Sequence, residues 1–143
     1  MFEDTLARVD LFSGLDRKDL HTLAQSCQER TYSPGTILIK QGDTGVGLYV
    51  ITGGKVRISQ AVHPDRAEAE LRVIGPGDVL GEMALLDDLP RSATATAVDE
   101  VTALLLPIWE FRTTLLSHPE IALKLLAVLS KRLRKAEARY QES

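Results

Sequence analysis

The sequence predicts an α+β fold that is mainly β, an antiparallel sandwich or barrel held between helical ends. Three observations carry this expectation. Turn signals recur at short intervals through the middle of the chain, at Ser33-Pro34-Gly35, Gly42-Asp43-Thr44-Gly45, Thr52-Gly53-Gly54-Lys55, His63-Pro64-Asp65-Arg66 and Gly75-Pro76-Gly77-Asp78. The runs between them are too short for helices and rich in branched and aromatic residues, as strands are. Apolar residues repeat at helical spacing only before and after this region.

Taken in order, Leu6, Val9 and Leu11-Phe12 predict a short amphipathic helix that stops at Ser13-Gly14. Asp16 stands where an N-cap would, Asp19 adds an acid to the first turn, and Leu20, Leu23, Ala24 and Cys27 follow at helical spacing. Residues 1–28 are thus two small helices. Strands are expected at Ile37-Leu38-Ile39, Leu48-Tyr49-Val50-Ile51, Val56-Arg57-Ile58-Ser59 and Leu71-Arg72-Val73-Ile74, and again within 93–98 and 101–106. The turn spacing gives about eight strands over residues 29–106. Gly53-Gly54 joins two of them and lacks the Lys-Ser/Thr ending of a phosphate loop, so it is a hairpin turn; Gly45-Val46-Gly47 is equally weak as a phosphate loop.

Pro107 closes the last strand, and Ile108, Phe111, Leu115 and Leu116 predict a short helix ending near Ser117-His118. Pro119 suits the first turn of a long helix reaching about Tyr140, so residues 108–141 are helical. Two stripes run along the long helix. Ile121, Leu125 and Val128 form the face expected on the β region. Ala122, Leu126, Leu129, Leu133, Ala136 and Tyr140 alternate at four and three residues, the seam of a coiled coil, and predict a parallel homodimer; a purely intramolecular amphipathic helix is the alternative. Lys124, Lys131, Arg132, Arg134, Lys135 and Arg139 make the same helix basic, which its dipole favours near the C-terminus.

A chain of 143 residues is the size of one domain with its own core, and 44% hydrophobic with 26% charged residues is a globular composition. A formal net charge of -3 speaks against a general nucleic-acid binder. The single cysteine, Cys27, has no partner for an internal disulfide or a metal knuckle and is read as a small buried hydrophobe, in a reducing compartment. With an acidic start at Glu3-Asp4 and no long apolar run, the expectation is a cytoplasmic protein without a membrane segment. His21, His63 and His118 fall in a helix, a turn and a cap, and no paired acids, nucleophile triad or metal-ligand spacing stands out, so neither an enzyme nor a metal site is predicted.

The stretch 81–95 combines demands that core packing alone would not make. Gly81 permits close approach of backbone to a ligand, and Glu82-Met83-Ala84-Leu85-Leu86 predicts one or two helical turns whose free N–H groups suit an anion. After Pro90, Arg91 adds a fixed charge with a planar fork of donors, and Ser92 adds a hydroxyl. Glu82, an acid beside an anion site, makes sense if the ligand also carries hydroxyls, as a ribose does. The competing reading of Arg91 is a surface ion pair with Asp87 or Asp88.

The pattern Gly-Glu-hydrophobic-Ala-Leu followed by Pro-Arg-Ser-Ala-Thr resembles the phosphate-binding cassette of cyclic-nucleotide-binding domains, as in bacterial catabolite activator proteins and protein kinase A regulatory subunits. The resemblance covers nearly the whole chain. It implies an antiparallel β-roll or jelly-roll barrel with two short N-terminal helices, a short cassette helix, a hinge helix and a long C-terminal helix. It also implies that Gly81, Glu82, Met83 and Ala84 meet ribose and phosphate, with Glu82 on the 2′-hydroxyl, and that Arg91 and Ser92 bind the cyclic phosphate. In the family a threonine beside the arginine goes with cGMP, so Ser92 leans toward cAMP, with cGMP the second candidate. Leu71 and Val73 are expected in the pocket wall, and Arg132 or Arg134 as a cap over the base. One departure is clear: the Thr-Ser pair that contacts adenine in catabolite activators falls on Ala136-Glu137. The helix-turn-helix domain that follows in transcription factors is not found within the 143 residues, and the output protein is open. The resemblance implies a ligand-binding sensor that signals through its C-terminal helices; the alternative is a dimerisation or interaction module on the same fold, with a vestigial pocket or one for another small molecule.

Overall fold

The structure, a computed structural model, describes residues 2–61, 69–87 and 89–142, the last two by backbone alone. The turn expected at 63–66 lies outside the described residues.

The N-terminal helical region has three pieces rather than two. The first amphipathic stretch divides into α1 (Glu3–Leu6) and a 3-10 turn at Asp10–Phe12, and α2 (Arg17–Ala24) follows. Asp16 caps α2 as expected, its carboxylate accepting from the Asp19 amide while Asp19 reaches back to the Asp16 amide.

Eight strands are described: β1 (Gln28–Tyr32), β2 (Ile37–Ile39), β3 (Gly47–Gly53), β4 (Val56–Gln60), β5 (Ala69–Ile74), β6 (Val79–Leu80), β7 (Thr94–Ala97) and β8 (Val101–Pro107). They form two antiparallel four-stranded sheets of order β1-β8-β3-β6 and β2-β7-β4-β5. The jelly-roll expectation is met by two facing sheets, with no closed barrel among the described strands.

The unbroken apolar runs of β3 and β8 have a simple cause: both strands are covered on both faces. Leu48 and Val50 of β3, with Leu104 and Leu106 of β8, point toward the helices and join Leu6, Phe12 and Leu23 in one core. Ile51, Ala103 and Leu105 point the other way and meet Val56, Ile58 and Ala95 of the facing sheet in a second core. The helices cover the first core from outside. α3 (Ile108–Ser117) inserts Phe111, whose ring lies 6.2 Å from that of Phe12. α4 (Pro119–Glu142) lays Ile121, Leu125 and Val128 on the body, so the first stripe read from the sequence is its buried face. Its second stripe is open: Leu126, Leu133 and Tyr140 are exposed, while Ala122 and Leu129 are half-buried.

Candidate functional site

A cleft of about 420 Å3 opens beside the cassette. Its rim is Gly81 to Ala84 on one side and Pro90 to Ala95 on the other, and its floor is the second sheet. The expected helix is a single 3-10 turn, Met83–Leu85, closed by Ala84 N–H to Gly81 O at 3.1 Å and Leu85 N–H to Glu82 O at 3.3 Å. The sequence Asp-Asp-Leu-Pro that follows allows no longer helix.

Arg91 is the centre of the site. Its backbone is paired on both sides with the 40–45 loop, donating to Asp43 O and accepting from Gly42 N–H, each at 2.9 Å. The side chain turns inward and is only 8% exposed. Nη2 donates to the Gly47 carbonyl at 2.5 Å, and the buried Nε has no partner among the described residues. Burial pulls the guanidinium pKa below its ordinary value, which Tyr49 and then Asp87 oppose. No carboxylate lies within ion-pair distance of Arg91 among the described residues, so the expected alternative, a surface bridge with Asp87, is not formed; Asp88 lies outside them. A buried cation without a counter-ion is costly, and an arriving anion relieves that cost.

Two glycines make room for it. Gly81 has φ +79, and a Cβ there would lie 2.0 Å from Nη1. A Cβ on Gly45 would lie 1.9 Å from Nε. In the sequence Gly45 is one residue of the turn at 42–45, and nothing local tells that Arg91, 46 positions later, lies against it.

Glu82 takes part in a wider network. Its Oε1 accepts from the Leu11 amide at 2.5 Å and from Arg132 Nη2 at 2.6 Å. Arg132 also holds Asp10, at 2.5 and 2.9 Å, and its Nη1 lies 3.5 Å from the sulfur of Met83. The hydrogen bond that Arg132 donates to Glu82, opposed by partial burial, holds the Arg132 pKa above its ordinary value. Glu82 thus ties the cassette to the N-terminal turn and to α4, and both bonds fall on Oε1, which leaves Oε2 for a hydroxyl.

Ser92 lines the cleft with its side chain exposed, and its carbonyl accepts from Gln60 Nε2 at 2.9 Å. Met83 and Ala84 line it as expected.

Three expectations are corrected. Leu71 and Val73 are each 50% exposed and do not line the cleft; Arg72 does. The cause is register. Ile74 pairs with buried Val56 and Arg72 with buried Ile58, while Val73 pairs with exposed Arg57 on the outer face. A bulge between Ile58 and Ser59 leaves Leu71 out of the pairing. Arg134 is exposed and does not reach the site, because two residues along a helix turn it about 200° away from Arg132. Ala136 and Glu137 are exposed as well.

The model of the cyclic nucleotide-binding domain family matches residues 29–118. The chain belongs to that family. It is 34% identical over 133 residues to the CRP-like cAMP-activated global transcriptional regulator of Mycobacterium tuberculosis, covering 93% of this chain and 59% of the relative. It is 37% identical over 127 residues to the cyclic AMP receptor protein of Thermus thermophilus, covering 89% of this chain and 58% of the relative. The N-terminal domain of a transcriptional regulator from Streptomyces coelicolor superposes with a TM-score of 0.85 at 39% identity, covering 96% of this chain and 95% of that one. The chain spans less than two thirds of the curated relatives' length. The family is one of ligand-binding regulators rather than catalysts, and the cassette read from the sequence is the rim of the cleft found here. Among the described residues no helix is long and apolar enough to cross a membrane, and no cluster of His, Cys, Asp and Glu could hold a metal.

Proposed function

We propose that this domain is a cytoplasmic cyclic-nucleotide sensor whose ligand is cAMP, with cGMP the second candidate, and that it needs no metal or other cofactor. The observation that carries the reading is Arg91, buried with no carboxylate at ion-pair distance and with one N–H unpartnered among the described residues. A cyclic phosphate carries one negative charge and acceptor oxygens suited to Arg91 and Ser92. Glu82 would accept a ribose hydroxyl through Oε2, since both of its bonds to Leu11 and Arg132 fall on Oε1. The names of the relatives, a cAMP-activated regulator and a cyclic AMP receptor, support the same ligand class.

Signalling follows from the Glu82 network. A ligand that bonds to Glu82 acts on the group that holds Arg132 of α4 and the 3-10 turn at Asp10. It shifts the position of α4 only by binding one arrangement better than the other. The open stripe of Leu126, Leu133 and Tyr140, continued by half-buried Ala122 and Leu129 and exposed Ala136, supports pairing of two copies along α4, through which such a shift would reach an output protein.

Titration calorimetry of cAMP against wild type and Arg91→Ala tests the site. Losing a partner of a buried charge pair costs about 2–5 kcal/mol, so affinity should fall roughly thirty-fold to several thousand-fold. Unchanged affinity would refute the assignment.

A further inference from the structure

α3 carries a hollow of its own. Ser26, just past α2, and Trp109, Glu110, Thr113 and Thr114, in the first two turns of α3, line a volume of about 240 Å3 and share no residue with the cassette cleft. Its chemistry is one-sided. Thr113 Oγ1 donates to the Trp109 carbonyl at 2.9 Å and Thr114 Oγ1 to the Glu110 carbonyl at 3.0 Å, so both hydroxyl hydrogens turn back into the helix. Ser26 Oγ lies 3.4 Å from Thr114 Oγ1, whose hydrogen is already given away, so the serine is the donor of that pair. What the three hydroxyls leave to an occupant is oxygen lone pairs. Glu110 is half-buried, and its carboxylate forms no ion pair or hydrogen bond with a described residue. Its charge falls on the opposite wall: the Cys27 thiol, beside Ser26, is pushed up first by burial and further by Glu110. The Trp109 indole adds an electron-rich ring. Apart from the indole N–H, the hollow offers acceptors, a π system and a negative charge, and no cation lines it.

The hollow is also open. Trp109 is 72% exposed, and Leu116, seven positions on and so on the same side of α3, is 85% exposed. A small-molecule pocket encloses most of its ligand, which this one cannot do. A side chain projecting from a larger surface needs no such enclosure, and Leu116 gives that surface an apolar contact beside the hollow. Tryptophan is among the residues enriched at the energetic centres of protein interfaces. We infer that this face of α3 is a docking surface for a partner protein, and that the hollow takes an arginine side chain of that partner, stacked on Trp109 and forked onto the Glu110 carboxylate. Arginine suits it better than lysine because a flat guanidinium can lie on an indole while its N–H fork meets two carboxylate oxygens. The surface stands whatever ligand the cassette binds.

Trp109 is the only tryptophan of the chain, so its emission reports on the hollow without a label. The test is a fluorescence titration of the full chain with a capped tetrapeptide of leucine, glycine, arginine and glycine, and with the same peptide carrying citrulline, which has the shape of arginine without its charge. The arginine peptide should shift the emission to saturation and bind roughly two-fold to thirty-fold more tightly than the citrulline one. Glu110→Gln should shrink that preference by up to about five-fold, and Trp109→Leu, followed by calorimetry, should lose most of it. Equal binding of the two peptides by wild type, or no response to either, would overturn the proposal. So would a preference that survives both substitutions, since the charge would then be selected elsewhere. An emission shift on diluting the chain alone, kept in Leu133→Glu, would give the face to a second copy and overturn it too.

Discussion

Gly45→Ala is the sharpest perturbation of the site, because it alters neither a charge nor a residue expected to touch the ligand. The added Cβ would lie 1.9 Å from Nε, 2.0 Å from Nη2 and 2.3 Å from Cζ of Arg91. No two heavy atoms can sit that close without a bond between them. The backbone at Gly45 cannot retreat easily, since the loop is paired with Arg91 through Gly42 and Asp43. The guanidinium is the end of a flexible side chain and should be the part that moves, away from Gly81 and from the Gly47 carbonyl. Overpacking of this kind costs about 1–3 kcal/mol of stability, so the domain should stay folded with a modestly lower Tm. Affinity should suffer more. With the guanidinium displaced from the anion end, the loss should approach that of Arg91→Ala, roughly thirty-fold to several thousand-fold. Circular dichroism melts and calorimetric titration with cAMP measure the two effects separately. A Gly45→Ala protein that binds cAMP as wild type does would refute the placement of Arg91 against Gly45.

Three further outcomes are expected. In sedimentation, wild type should be dimeric and Leu133→Glu monomeric with a native circular dichroism spectrum, because Leu133 is 61% exposed, whereas Leu129 is half-buried against the core and a glutamate there would also disturb the fold; a monomeric wild type would reject the seam. Cys27 should react with thiol reagents more slowly in the native protein than once denatured, since partial burial against the core, helped by Glu110, pushes its pKa up to about 12; native labelling as fast as in the denatured chain would contradict that packing. Asp16 has its pKa lowered, chiefly by the hydrogen bond from the Asp19 amide, so its contribution to stability is present above its ordinary value of 3.8 and is lost as the pH falls through the lower, folded value. The Tm difference between wild type and Asp16→Ala should therefore narrow below about pH 3.8, and a difference independent of pH would show that the cap does not act through its charge.

Sequence alone determined the parts of this protein that are written in neighbouring residues. Asp16 and Asp19 announce the start of α2 because a capping box closes within one turn. Gly81, Glu82, Arg91 and Ser92 lie within a dozen positions, so one stretch of chain carries the rim of the site and the family pattern with it. Ile121, Leu125 and Val128 were legible as the buried face of α4 because helical periodicity reports a face directly. Tertiary structure decided whatever depends on pairing between distant segments. Leu71 and Val73 are the pocket-wall residues expected from the resemblance, yet β5 takes its parity from β4, and that register brings Arg72 to the cleft instead. Arg132 and Glu82 are 50 positions apart and Gly45 and Arg91 are 46 apart, and only the closing of the two sheets and the return of α4 bring each pair together. Local chemistry is fixed by bonds along the chain, whereas a strand's facing and a side chain's distant neighbour are fixed by which partner the backbone hydrogen bonds select.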